Sequence, residues 1–331
     1  MSLISIKEIG VPKSKQIVNS IEEAIINKHL VKGSKLPSIN SIRNKFSISR
    51  DTVLHAYGEL KTRGIVQSVA GKGYYLIKED ISTSKKIFLL FDELNAFKEN
   101  LYNSFISNSN SEIEVDIFFH HFNRDVLRNT IVNNIGNYSY YVIMPANLQD
   151  VRSIIEHLPK DKVYLLDQVH DDLSKFPAIY QNFEKGVFEC LSELKSNILK
   201  YKKFTLYFNK EKQPLSICKG FEAFCLQNHV DFEIIESIKE IDIKKGNAYM
   251  ALEDSSLITI VKQMKSRGWK MAEDIGIVCY NDTDLKEIIE DGITVISTDF
   301  KEMGGKLAKM IIKNSTEKVE INISLTLRNS I

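Results

Sequence analysis

The spacing of apolar residues changes character once along this chain. Over residues 1–80 it is helical: Ile17, Ile21 and Ile25 put one stripe on a first predicted helix, and Ile39, Ile42 and Phe46 share a face of a second. Val53, Tyr57 and Leu60, at i, i+4 and i+7, form the buried stripe of a third. The punctuation agrees. Gly33 and Pro37 bracket a tight connection, Ser38 can cap the second helix, and Ser49 can cap the third by accepting a hydrogen bond from a first-turn N–H. Arg63-Gly64 ends the third helix with a cation and a residue free to adopt left-handed backbone. Ile65-Val66 and Tyr74-Tyr75-Leu76 then read as short strands around Ala-Gly-Lys-Gly, a tight turn whose lysine can approach a phosphate closely. Three helices and a two-stranded wing make a winged helix-turn-helix, with the third helix as the one that enters a major groove.

A polar stretch around 78–86 interrupts the periodicity, and residues 81–86 are expected to be a linker. From Ile87 onward, apolar runs of strand length occur at 87–91, 115–119, 140–144, 163–166, 178–180, 204–208, 232–235, 248–252, 276–280 and 294–297. Amphipathic stretches of helical length separate most of them, at 99–108, 124–133, 183–195, 217–228, 256–267 and 303–312. Strands apolar on both faces, alternating with helices, imply parallel sheets. Ten strands in about 245 residues favour two α/β lobes over one open sheet. The expected organisation is α/β: a winged helix over 1–80, a linker over 81–86 and a two-lobed domain over 87–331.

Composition refines this picture at three points. The net charge of +1 conceals an asymmetry: residues 1–80 carry 13 Lys and Arg against 7 Asp and Glu, a net +6, leaving 31 against 36, a net −5, in the remainder. The positive end is the one that must meet phosphates. Cys190, Cys218, Cys225 and Cys279 lie in apolar contexts without CxxC spacing, so they are read as reduced core residues. His120-His121 and His170 lack metal-ligand spacing, and no metal or cofactor is expected. With no run of eighteen apolar residues and no signal-like start, the expected compartment is the cytoplasm, without membrane partners.

Ligands of open α/β sheets bind beyond the carboxyl ends of the strands. Here those positions are polar: Asp92-Glu93 with Asn95 and Phe97, Asp167-Gln168, Gln181-Asn182, Glu253-Asp254, Asn281-Asp282 and Thr298-Asp299-Phe300. Any single pair could merely cap the next helix, and that is the expected role of Asp254 and Asp282. Six such ends facing one cleft could hold hydroxyls, with Phe97 or Phe300 stacked on a sugar ring.

The N-terminal text also resembles the winged-helix domain of GntR-family transcription regulators: "KGSKLPS" from Lys32, "SISRDTV" from Ser47, "AYGEL" from Ala56 and "GKGYYL" from Gly71. The resemblance implies that Ser49, Arg50 and Thr52 contact phosphates or base edges and that Gly71 and Lys72 sit at the wing. Ser38, His55 and Gly73 complete the candidate DNA-binding set. Asn40 and Leu54 depart from the basic residues common in the family.

"ALEDSS" from Ala251, "RGWKMAEDIGIVCYND" from Arg267 and "ITVISTDFKEMGGKLAKMII" from Ile293 resemble the effector domain of LacI-type repressors. That likeness implies a two-lobed parallel α/β periplasmic-binding-protein-like (type I) sensor domain. By position it implies that Asn281 replaces a sugar-binding carboxylate, that Glu253 contacts ligand and that Phe300 lines the pocket. With Asp92, Phe97, Asp167 and Gln168, these residues form the candidate effector-binding set. Ile217 stands where the family commonly has an arginine.

Enzyme signatures are missing: neither G-x-G-x-x-G nor G-x-x-x-x-G-K-[ST] follows the first α/β strand, and no G-x-S-x-G occurs. Adjacent Asp171-Asp172 does not provide an opposed acid and base. The expectation is a non-enzymatic, homodimeric regulator, a repressor, that binds operator DNA under control of a small-molecule effector, a sugar or related carbohydrate. The competing expectations are a ligand-binding protein of the same fold without DNA function, and a sensor of a non-sugar metabolite.

Overall fold

The computed structural model describes residues 3–7, 10–79, 85–109, 113–236 and 242–331. Its first domain is a winged helix: α1 (Lys13–Ile26), α2 (Ile39–Phe46), α3 (Arg50–Thr62), β1 (Val66–Val69) and β2 (Gly73–Leu76). The three predicted stripes meet in one core, in which Ile17, Ile21, Val53, Tyr57 and Leu60 are fully buried. Ser38 and Ser49 cap α2 and α3, accepting the N–H groups of Ser41 and Thr52 at 3.1 Å each. Ser47, in left-handed backbone, stops α2 and makes the sharp turn into α3. Tyr57 ties the pieces together: its O–H donates to the Pro37 carbonyl at 2.6 Å, and its ring meets Tyr74 of the wing edge-on.

The remainder forms two α/β lobes. The first contains β3 (Lys85–Phe91), α4 (Ala96–Asn108), β4 (Ile113–Phe119), α5 (Arg124–Val132), β5 (Tyr140–Ile143), α6 (Val151–Ile155), β6 (Val163–Asp167) and β7 (Ala178–Gln181). The second contains α7 (Phe183–Glu193), α8 (Lys195–Ile198), β8 (Phe204–Tyr207), α9 (Leu215–Gln227), β9 (Phe232–Ile235), β10 (Ala248–Ala251), α10 (Asp254–Ser266), β11 (Gly276–Tyr280), α11 (Asp284–Ile288) and β12 (Thr294–Thr298). The chain then returns to the first lobe as α12 (Phe300–Lys313) and β13 (Lys318–Ile321), and ends in the second as β14 (Ile323–Thr326). The sheets run β13-β7-β6-β5-β3-β4 and β14-β12-β11-β10-β8-β9. All neighbours are parallel except β14, which is antiparallel to β12. Three crossings, after β7, after β12 and between β13 and β14, therefore join the lobes.

Alternate strand residues explain the unbroken apolar runs. Ile87, Leu89 and Phe91 face the layer of α4 and α12, whereas Phe88 and Leu90 face that of α5 and α6. The second sheet is covered by α7 and α9 on one side and α10 on the other. Two helix pairs cross at glycine. A Cβ on Gly304 of α12 would lie 2.2 Å from the Leu101 carbonyl oxygen of α4, and one on Gly220 of α9 would lie 2.4 Å from that of Glu184 of α7.

All ten predicted strands are present. The linker expected over 81–86 falls largely on residues outside those described, but Lys85 and Lys86 belong to β3, paired with Ile113 and Glu114. The ladder continues as long as β4 offers backbone partners, whatever the side chains. β13 and β14 lie beyond the last predicted helix and extend the architecture read from the sequence.

Candidate functional site

The basic end of the molecule presents α3 and the wing. Arg50, Asp51 and His55 are exposed, Thr52 is half-buried, and the opposite face of α3 is the domain core. Ser49 Oγ lies 2.8 Å from Thr52 Oγ1, which fixes both hydroxyls at the first turn of α3. Although Ser38 and Ser49 already accept capping bonds, the Ser38 hydroxyl keeps its proton to donate, and the Ser49–Thr52 pair keeps one between them. The first-turn N–H groups and the positive pole of the helix suit a phosphate. At the wing tip Gly71 and Gly73 take φ of +71° and +109°, and the Lys72 N–H closes the turn on Val69 at 3.0 Å, leaving its side chain exposed. Lys15 and Arg63 have a different role, pairing with Glu59, and Arg63 also with Glu22.

The second site is a cleft of about 220 Å³ between the lobes, at the carboxyl ends of both sheets. Asp92, Phe97, Asp167, Gln168, Glu253, Asn281 and Phe300 all line it. Asp92 and Asp167 are almost fully buried. Between them sits Lys98 of α4, whose ammonium lies 2.9 and 3.1 Å from the two oxygens of Asp92 and 3.2 Å from Met144 Sδ. Burial alone would depress the Lys98 pKa, but Asp92, Asp167 and Glu93 outweigh it and hold the ammonium above the ordinary lysine range. Burial pushes the Asp167 carboxyl upward; Lys98 opposes that shift, Asp92 adds to it, and a hydrogen bond from Gln181 lowers it.

Asp167 and Asn281 adopt φ of +74° and +59°, so the backbone at two strand ends is turned into left-handed geometry beside the cleft. Gln181, at the first crossing, joins the lobes: its amide donates to Asp167, and its oxygen accepts from Tyr280, at 3.2 Å, and from Thr298 of the second. Across the mouth, Lys212 pairs with Glu93 at 3.0 Å and lies over Phe122, while Asn147 donates to the Gln213 carbonyl. Phe97 and Phe300 stack on each other, with centroids 4.9 Å apart, and Phe300 is mostly embedded in the first lobe.

Two polar ends differ from their expected capping roles. Asp254 pairs with the buried Lys286 at 2.9 Å, and Asp282 grips the half-buried Arg328 guanidinium at 2.7 and 3.0 Å; neither caps a helix, because a cation claims each. Asn95, Asn182 and Asp299 do cap α4, α7 and α12.

Comparison with known proteins matches residues 13–76 to the model described as bacterial regulatory proteins, gntR family. The N-terminal domain is a gntR-family domain. Residues 199–331 match the periplasmic binding protein-like domain. An uncharacterised helix-turn-helix transcriptional regulator of Bacillus subtilis is 39% identical over 66 residues, 20% of this chain but only 14% of the relative, so the chain spans a small part of that protein's length. The arabinose metabolism transcriptional repressor of Geobacillus stearothermophilus is 22% identical over 353 aligned positions, covering 93% of this chain and 92% of the relative. A LacI family transcriptional regulator from Enterococcus faecium, solved with bound ribose, superposes with a TM-score of 0.59 at 15% identity, covering 74% of this chain and 98% of that one. The two-sheet domain behind the gntR-type reader thus has the LacI-type periplasmic-binding fold, and these relatives are transcription regulators. Among the described residues, no helix is long and apolar enough to cross a membrane.

Lys98, Lys212, Lys286, Phe122 and Tyr280 also line the cleft and escape the reading of strand ends. A signal for two of them exists: Lys98 and Lys286 sit near the N-termini of α4 and α11, where a cation opposes the helix dipole and needs a carboxylate.

Proposed function

We propose that this chain is a one-component transcription regulator in which a homodimer of gntR-type domains reads operator DNA and a monosaccharide binding between the lobes controls the grip. The reading rests on one observation above all: seven residues at four strand ends and two helix starts line a single inter-lobe cleft. Charge supports the DNA side, since residues 1–80 carry a net +6. The arabinose-metabolism repressor and the ribose-bound structure among the relatives support a sugar as effector. Ser38, Ser49, Arg50, Thr52, His55, Gly71, Lys72 and Gly73 are the proposed DNA contacts. Two copies are needed because one recognition helix covers only a half-site.

The coupling is mechanical. A ligand alters DNA affinity only if it binds one arrangement of the lobes more tightly than another, and a closing cleft re-spaces the two readers of a dimer joined through those lobes. A thermal-shift panel of pentoses and hexoses, with purines and amino acids as controls, tests the effector class. At least one sugar is expected to raise the melting temperature. A shift with purines or amino acids alone would remove the sugar and leave a sensor of another metabolite.

A further inference from the structure

The hydrogen-bonding inventory of the cleft restricts what its ligand can be. Every lysine lining it is already engaged. The Lys98 ammonium meets both oxygens of Asp92 and Met144 Sδ, and that of Lys286 meets the Tyr280 and Asn281 carbonyls, at 3.0 and 2.6 Å, and Asp254. Each of these two ammoniums thus has three acceptor atoms of the protein within 3.2 Å, so its charge is already committed to the fold. Lys212 is held by Glu93.

Against three lysines stand five carboxylates: Asp92, Glu93, Asp167, Glu253 and Asp254. Glu253 has only neutral partners, the Asn209 amide at 3.2 Å and the Ser255 hydroxyl at 3.3 Å. Ile217 and Pro214 offer hydrocarbon to the cavity. Among the described residues that line the cleft, the buried side-chain polar atom left without a partner is an acceptor, Oδ1 of Asn281. A buried acceptor left unmet costs free energy that a ligand hydroxyl recovers, whereas a phosphate or carboxylate brings more acceptors into a field of excess negative charge. At about 220 Å³ the cavity is below the roughly 300–1,000 Å³ of sites for drug-sized ligands, which suits a single sugar ring.

We infer that the effector is a hydroxyl-donating molecule of single-sugar size that carries no negative charge, that Asn281 accepts one of its hydroxyls, and that the cleft rejects the phosphorylated and acidic forms of the same sugar. This rests on the reading of the cleft as a sugar sensor.

Isothermal titration of the full chain with matched sets tests it: ribose with ribose 5-phosphate, arabinose with arabinonate, glucose with glucose 6-phosphate and gluconate, galactose with galacturonate. One neutral sugar is expected to bind, and its anionic counterparts to bind on the order of 100-fold more weakly. A phosphate or acid that binds as tightly as its neutral partner would overturn the inference while sparing the sugar-sensor reading. Silence from every member, with a thermal shift from purines or amino acids, would remove both. At position 281 the left-handed backbone tolerates glycine and aspartate. Asn281→Gly should weaken the bound sugar roughly 10–100-fold, and Asn281→Asp, which keeps an acceptor, should stay within about fivefold of the parent. Equal affinity in Asn281→Gly and the parent would count against the assigned contact.

Discussion

Arg50 shows how a residue acquires a role from its place in a helix. It stands exposed as the first residue of α3, just after the Ser49 cap and ahead of the buried stripe that starts at Val53, so its loss leaves the core intact. Arg50→Ala is expected to cost about 1–3 kcal/mol of DNA affinity and nothing in sugar affinity. Equal losses in both assays would mean that Arg50 supports the fold instead. His120 carries the opposite logic. It is fully buried, its Nε2 donates to the Met144 carbonyl at 3.0 Å, and its Nδ1 has no partner. Burial therefore holds its pKa below the ordinary histidine value despite that bond. A depressed pKa contributes stability that is present above about pH 6.5 and is lost as pH falls through the folded value. The melting temperature should drop between pH 7 and pH 5 more steeply for the parent than for His120→Gln; superimposable profiles would exclude His120 as the cause. At this scale Asp92, Asp167, Glu253 and the rings of Phe97 and Phe300 could be read as cleft positions because strand ends are a short list. Lys98 and Lys286 were not, because a lysine in a helix reads as solvated until the carboxylate beside it is known in space.

The helices that join each lobe to its neighbours are fixed by close backbone approach. Gly304 of α12 lies against the Leu101 carbonyl and Phe105 N–H of α4, which cannot retreat without unravelling α4. The next residue, Gly305, faces only the side chains of Asn108 and Ser104, with its nearest neighbour at 3.4 Å. Replacing glycine by alanine gains helix propensity of about 1 kcal/mol at either site, but at Gly304 overpacking of about 1–3 kcal/mol or more wins. Urea unfolding should thus find Gly304→Ala destabilised and Gly305→Ala unchanged or slightly stabilised. The reverse order would mean that α12 and α4 do not cross as described. Strands and long helices were readable from the apolar pattern alone, since inner strands such as β5, β10 and β11 are buried along nearly their whole length. β13 and β14 were harder: each is a four-residue edge strand with three of its residues exposed or partly so, and only their partners, β7 and β12, make them strands. Which lobe each belongs to is set by three crossings that no local pattern records.

At the scale of the molecule, a reader with net charge +6 is joined to a sensor with net charge −5. DNA affinity should therefore weaken steeply with salt, through counterion release at the reader. The inter-lobe contacts, Gln181 at the crossing and Lys212 on Glu93 and Phe122 at the mouth, hold the lobes together around a cleft that a sugar can complete. A coupling of about 1–3 kcal/mol between the two sites corresponds to a change of roughly 5–150-fold in DNA affinity. The most direct test is fluorescence anisotropy of the full chain on a duplex selected by the protein from a random library, over a salt series, with and without the sugar that raises its melting temperature. Log affinity should fall linearly with log salt, and saturating sugar should shift the whole line by at least fivefold. DNA binding that ignores salt, or lines that coincide with and without sugar, would contradict a reader governed by an inter-lobe sensor.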